Sequence, residues 1–599
     1  MNGIMITENI KLTNVEFVEL YQQFLSHYLD NKPTDLEFAM AQFQNIMNKY
    51  MQWMQSCDVS HFMQVQSDYV QDYFKFVEHF QGQFKDKTDT PTSDDNVPYI
   101  KPDLADRRFQ SEDWHKQPLY SFWMQNYLLF SKHMQKFMTG HQTENSRLNK
   151  QVDFFTQFWI DGLSPSNFHL TNPEVVRQTL LSKGESVVQG FQNFMKDVVQ
   201  NGSQYQFKMT DMQAFAVGDN IAVTKGKVVY RNRMFELIQY SPTTPNVHAI
   251  PLLIVPPWIN KYYILDLKEK NSFVKWIVDQ GFTVFIISWV NPDISYKYTS
   301  FADYMQAGVL EATKVVKEIT NQSSINALGF CIGGTLLAAT MGYLKAHNRN
   351  DIQSTTYLTS LIDFSYTGDV EVFIDEQQVN NLSKLMEREG VLSGRRLMLT
   401  FNLLRANDLF WSFYINNYLC GKQPFPFDLL YWNCDNVNLP YEMHKFYLEN
   451  MYLKNNLVKP NQLVLADTPI DLSKVAVPSY FLSTEQDHIA PWQTTFKGAL
   501  ALQGDLTFVL GGSGHIAGVV NPPNNQKYGY KYTSKNTRQY QTAEEWLAHA
   551  QSFPGSWWTH WGEWLLNRSG ESIAARIPGS ATYPPLEDAP GQYVKKKTS

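Results

Sequence analysis

The stretch Gly329-Phe330-Cys331-Ile332-Gly333-Gly334 constrains this chain more than any other. An apolar run, Ile325 to Phe330, precedes it, and a segment rich in Leu and Ala follows. A strand that turns sharply into a helix has space for small residues only, and glycines flank Cys331 on both sides. A cysteine in that turn lies at a helix N-terminus, where the dipole and free N–H groups favour a thiolate. The N–H of Ile332 then points to where an acyl oxygen would sit, supplying half of an oxyanion hole. The other half is expected from the loop after an early strand, Pro256-Pro257-Trp258-Ile259-Asn260. Its prolines lack an N–H, so Trp258 or Ile259 must donate. Alone, the six-residue match is weak, because a cysteine between glycines is often structural.

The surroundings strengthen it. From about residue 210 short apolar runs alternate with amphipathic segments, the pattern of βαβ units and a parallel sheet. Strands are expected at 251–255, 282–288, 325–330, 357–362, 479–483 and 507–510. A helix over 272–280 ends at Gly281, and Ser300-Phe301-Ala302-Asp303 reads as a capping box opening another. Asp487 and His515 each follow one of the late strands. The chain order Cys331, Asp487, His515 is that of an α/β-hydrolase triad and of no other triad fold. His488 neighbours Asp487, but adjacent side chains diverge, so it reads as a structural or substrate-side residue. Cys57, Cys420 and Cys434 read as packing residues.

Residues 1–210 read as a helical N-terminal domain, and 211–599 as the α/β catalytic domain. In the former, Phe38, Met40, Phe43, Ile46, Met47, Tyr50, Met51 and Met54 recur at helical spacing, the mark of a buried face. The polar stretch 87–98 reads as an exposed linker. Between about 363 and 477 the alternation breaks into aromatic-rich, irregular sequence, expected to form a lid over the strand ends.

Composition excludes several classes. With 51 basic and 58 acidic residues the net charge is −7, against a nucleic-acid partner. The four cysteines show no paired spacing for zinc or a disulfide framework, so no metal is expected and the thiols suit a reducing cytoplasm. No secretory signal and no apolar run of about 18 residues stands in the sequence, so no membrane span is expected.

Cysteine in place of serine changes the expected outcome. Acyl transfer from a CoA thioester to sulfur keeps the acyl group activated, and a hydroxyl then attacks downhill. His515 would deprotonate Cys331 and later that hydroxyl, with Asp487 orienting the imidazole.

Five motifs together resemble the class I polyhydroxyalkanoate synthases: Gly329 to Thr335, Ile254 to Tyr263, Phe427 to Asn433, Asp487 to Ile489, and Gly514 to Pro523. The resemblance runs from roughly residue 100 onward. It implies polymerisation of (R)-3-hydroxyacyl-CoA, with 3-hydroxybutyryl-CoA the expected monomer, into a polyester carried on Cys331, without a cofactor. It further implies a homodimer, a cytoplasmic protein on polymer granules with granule-associated partners, and an N-terminal region serving dimer stability and granule attachment. By the same resemblance Trp432 is the lid and dimer-side tryptophan, and Arg405 a candidate for meeting CoA phosphates. Val290 stands where the family usually has arginine, and Cys434 where it has a smaller residue. The alternatives are a cysteine thioesterase or depolymerase of this fold, and a non-catalytic granule-coating protein.

Overall fold

A computed structural model describes residues 33–85, 98–103, 106–201 and 207–597. The linker expected at 87–98 falls, apart from Pro98, outside them. The chain divides into two compact units: residues up to Met209 together with Leu399–Phe425, and Thr210–Met398 together with Pro426 onward.

The first unit is helical, with α1 (Pro33–Gln55), α2 (Val59–Lys85), α3 (Pro118–Gly140), α4 (Ser146–Gly162) and α5 (Glu185–Asn201). Trp53 of α1 is buried with Met138 of α3 and Val152 of α4, and the Tyr50 hydroxyl lies 2.8 Å from that of Thr156. Phe76 and Phe80 of α2 pack with Leu129 of α3. The α1 stripe expected to be buried is largely outward: Met40, Phe43, Met47, Met51 and Met54 are exposed within this unit. The inward face carries Asn45 and Trp53 instead, because the apolar positions of α1 exceed what one helix face can bury.

The expected lid is also divided. Residues 399–425 pack with α5: the Tyr418 hydroxyl donates to Asp197 at 2.6 Å, and Asn193 donates to the Asn417 carbonyl at 2.9 Å. The aromatic run of this segment packs on a helix of the first unit, where the Phe194 and Tyr418 rings meet at 5.6 Å.

The second unit is built on a sheet of strands β1 (Gly226–Arg231), β2 (Phe235–Tyr240), β3 (Leu252–Val255), β4 (Val284–Trp289), β5 (Ile325–Phe330), β6 (Ile352–Leu358), β7 (Ser479–Thr484), β8 (Leu506–Gly511), β9 (Tyr530–Tyr532), β10 (Gln551–Phe553) and β11 (Glu587–Asp588). Their spatial order is β10-β9-β8-β7-β6-β5-β3-β4-β2-β1-β11. Strands β3 to β8 run parallel, and β2 is antiparallel to both β1 and β4. The central strands are buried throughout, as a parallel sheet covered on both faces requires. Their apolar runs lack the alternation of a half-exposed sheet for the same reason. One face packs with α6 (Phe273–Asp279) and α9 (Trp557–Leu566), whose Phe273 and Trp557, Trp558 and Trp561 share a core with Ile254 and Ile286. The other holds α7 (Glu311–Thr320) and α8 (Ile332–Ala346), with Leu253, Phe285, Val315 and Leu336 in one cluster. This is the α/β-hydrolase arrangement that the triad order implied.

Most expected strands lie within two residues of those observed, but the one placed at 357–362 spans Ile352–Leu358. The Ser300 box forms in both directions, with Asp303 N–H donating to the Ser300 hydroxyl and Ser300 N–H to the Asp303 carboxylate. Among the described residues no helix is long and apolar enough to cross a membrane.

Candidate active site

Cys331 is the first residue after β5, near the middle of the sheet, and precedes α8 directly. Its backbone has φ 53° and ψ −126°, a conformation L-residues adopt at a cost of about 1–3 kcal/mol. The surrounding structure holds it there: its N–H donates to the Leu358 carbonyl of β6 at 2.9 Å, and its carbonyl accepts from the Gly334 N–H at 2.9 Å. The flanking glycines are steric necessities. A Cβ on Gly329 would lie 2.4 Å from the Gly334 Cα, and one on Gly333 would lie 2.2 Å from the Val255 carbonyl oxygen. The start of α8 therefore rests directly on the end of β3. Ile332, the first residue of α8, has an N–H with no acceptor in its own helix.

Strands β7 and β8, the second and third neighbours of β5, deliver the other two groups. Asp487 lies three residues beyond β7, and His515 four beyond β8. Both side chains are buried, and His515 Nδ1 lies 2.6 Å from Asp487 Oδ2. The other carboxylate oxygen, Oδ1, accepts the N–H groups of Ile489 and Ala490 at 2.9 and 2.8 Å. Those bonds fix the carboxylate while leaving Oδ2 for the imidazole. Cys331 lies close enough for its charge to act on the same imidazole, and with Nδ1 engaged by Asp487, Nε2 is the nitrogen left for the thiol. Burial pulls His515 down, but the charges of Asp487 and then Cys331 outweigh it, holding the imidazole well above its ordinary pKa. The Phe330 ring stacks at 5.9 Å and closes one side.

The structure thus brings Cys331, His515 and Asp487 together and sets Ile332 beside them. Trp258, two residues beyond Pro256, has its ring buried among Tyr304, Phe301 and Tyr447 at 5.0, 5.8 and 6.4 Å. The His488 carbonyl accepts the Asp369 N–H at 3.0 Å. Trp432 is buried, and its indole N–H donates to the Lys261 carbonyl at 2.7 Å. Arg405 is exposed and donates to Asp408 at 2.6 Å within the Leu399–Phe425 segment.

Two groups near the thiol carried no sequence signal. Burial holds the Tyr447 and Tyr452 hydroxyls un-ionised, and the charge of Cys331 adds to the effect in both. Their rings meet edge to face at 5.5 Å. They lie in the aromatic-rich stretch, where no spacing distinguishes a tyrosine near the site from one in the core.

Known proteins share both halves of this description. A family model described as the N-terminus of poly-beta-hydroxybutyrate polymerase (PhaC) matches residues 105–277. One for the alpha/beta hydrolase fold matches 251–522. A poly(3-hydroxyalkanoate) polymerase of Methylorubrum extorquens is 43% identical over 501 residues, covering 84% of this chain and 82% of its own. The poly(3-hydroxyalkanoate) polymerase subunit PhaC of Cupriavidus necator is 41% identical over 500 residues, covering 82% and 84%. With likeness at that level over most of both lengths, the chain belongs to the poly(3-hydroxyalkanoate) polymerases, a family of acyltransferases.

Proposed function

We propose that this chain polymerises (R)-3-hydroxyacyl-CoA through a thioester on Cys331, with 3-hydroxybutyryl-CoA as the preferred monomer. The observation that carries the reading is the buried His515 imidazole, which lies 2.6 Å from Asp487 and within the electrostatic reach of Cys331. An imidazole held protonated beside a sulfur is the partner a thiolate nucleophile requires.

The Cys331 sulfur attacks the thioester carbonyl, and the carbonyl oxygen becomes an oxyanion facing the N–H groups of Ile332 and Trp258. The bond to the CoA sulfur breaks, His515 returns a proton to that sulfur, and the acyl group rests on Cys331. The 3-hydroxyl of an incoming acyl-CoA gives its proton to His515 and attacks the chain thioester. An ester bond forms, the Cys331 sulfur leaves, and the proton on His515 balances its charge. The lengthened chain returns to Cys331 as CoA departs. Asp487 keeps the imidazole in the tautomer both steps use. The donor brings its own activated bond, so the cycle runs without a cofactor.

The name of the matching N-terminal family supports a short-chain monomer. The exposed apolar residues of α1 support a homodimer, and the family resemblance supports a cytoplasmic protein on the granule surface with granule-bound partners. For the same reason we keep Arg405, His488 and Trp432 as substrate-side or lid groups.

The test is CoA release from (R)-3-hydroxybutyryl-CoA measured together with polymer turbidity. Both are expected from the purified chain. CoA release with free acid and no polymer would instead make it a thioesterase, and no CoA release would leave a granule coat.

A further inference from the structure

Behind the loop that carries Trp258 lies a buried charge the reaction scheme does not use. Lys261 follows Trp258 by three residues, and its side chain is 4% exposed. Its ammonium lies 2.9 Å from Asp435 Oδ1, and donates to the carbonyls of Val594 at 2.7 Å and Lys596 at 3.0 Å. An ammonium has three N–H donors, and here three acceptors meet them. Asp435 is as deeply placed, at 1% exposed, and its other oxygen accepts from the Tyr263 hydroxyl at 2.9 Å. Lys597 also reaches Asp435, at 3.1 Å, from the solvent side.

The backbone around Lys261 is tied as well. Its carbonyl takes the Trp432 indole N–H, and at the loop's other end the Pro256 carbonyl takes that of Trp289 at 2.9 Å. Two prolines leave the loop few hydrogen bonds of its own, so these anchors set its path. The loop also has somewhere to collapse. Trp258, Lys261, Ser288, Val437 and Val594 line a small cavity. The Trp258 Nε1 and the Ser288 hydroxyl are buried without a partner among the described residues.

A buried ion pair is weak support for stability, since apolar residues of like volume serve that purpose as well. Its location suggests another use. An oxyanion donor works only when it is fixed within a few tenths of an ångström of where charge develops. We propose that Lys261 is a positioning residue for acyl transfer, its clamped ammonium fixing the loop from which Trp258 presents its N–H to the oxyanion.

The inference rests on the acyl-transfer reading above. The loop assists carbonyl chemistry and has no part in displacement at a saturated carbon, so two reactions of Cys331 separate its role from general damage. In Lys261→Met we expect the CoA burst from (R)-3-hydroxybutyryl-CoA to slow by about tenfold or more. Alkylation of Cys331 by iodoacetamide should stay within about twofold of the parent, because it reads the thiolate alone. KM should change less than kcat, since the ground-state carbonyl barely feels the hole. Asp435→Asn, which keeps shape and hydrogen-bonding capacity, should show the same split at smaller amplitude.

A folded Lys261→Met with an unchanged burst overturns the proposal, as does an equal fall in burst and alkylation. If neither variant folds, the pair is structural and the proposal fails. A parent that alkylates normally yet never releases CoA fails the acyl-transfer reading instead, which keeps the two failures apart.

Discussion

His515 Nδ1 and Asp487 Oδ2 approach to 2.6 Å in a buried site, with the carboxylate's other oxygen spent on two backbone N–H groups. The carboxylate is therefore committed to one proton on one nitrogen. Asp487→Asn preserves the shape and removes the charge that opposes burial at His515. Without it, burial pulls the imidazole pKa down. We expect CoA release to fall by about 10⁴-fold, as loss of the correct tautomer does in other triads. The iodoacetamide rate at neutral pH should drop as well, because the imidazole no longer stays protonated beside the sulfur. An alkylation profile identical to the parent's would show that Asp487 does not govern the pair.

The backbone at Cys331 is held in a sparsely populated conformation at the strand-to-helix turn. Cys331→Ala should lower CoA release by at least about 10⁴-fold, as removal of a triad nucleophile does elsewhere. Mass spectrometry of the quenched parent should find the acyl mass on the peptide containing Cys331, and none on the variant. Acylation at another residue would overturn the assignment.

Much of this site could be read before any coordinates, because each of its three groups follows a strand with an unmistakable apolar run. The spacing of Gly329 and Gly333 around Cys331 encodes a steric demand, which is why it was legible: neither position has room for a Cβ. Lys261 and Asp435 were not legible. Their meeting depends on a tail that returns to the sheet at Val594, and nothing local marks a lysine for burial. The segment 399–425 is a related case. Its aromatic residues announce burial but not against what, and they pack with α5. The α1 stripe failed in the opposite sense, since helical spacing names a face without saying that anything covers it.

Gly333 should tolerate no side chain. In Gly333→Ala the new Cβ would sit 2.2 Å from the Val255 carbonyl oxygen and 2.8 Å from the Pro256 carbonyl. Both partners are backbone, so α8 or the end of β3 must shift. Overpacking of that kind costs about 1–3 kcal/mol, and it would move apart the Ile332 and Trp258 N–H groups proposed to receive the oxyanion. We expect a lower melting temperature and a fall of about a hundredfold in CoA release, the cost of a misplacement near 1 Å. Full activity in a folded variant would mean that the elbow and the β3 loop are not coupled.

His444 gives the second unit a built-in sensitivity to acid. It is buried, its Nδ1 has no partner among the described residues, and burial pushes its pKa down to about 4. Between the ordinary histidine value and that figure the unfolded chain binds a proton that the native chain refuses. Stability is therefore full above about pH 6.5 and falls as pH drops towards 4, by about 3 kcal/mol in all. His560, held near 4 by burial as well, contributes a slope of the same sign. Urea midpoints of the parent and of His444→Phe at pH 7 and pH 4.5 separate the two, because His560 is common to both. The variant should lose less stability on acidification than the parent. If both lose the same amount, His444 takes up a proton in the native state and its burial does not keep it neutral.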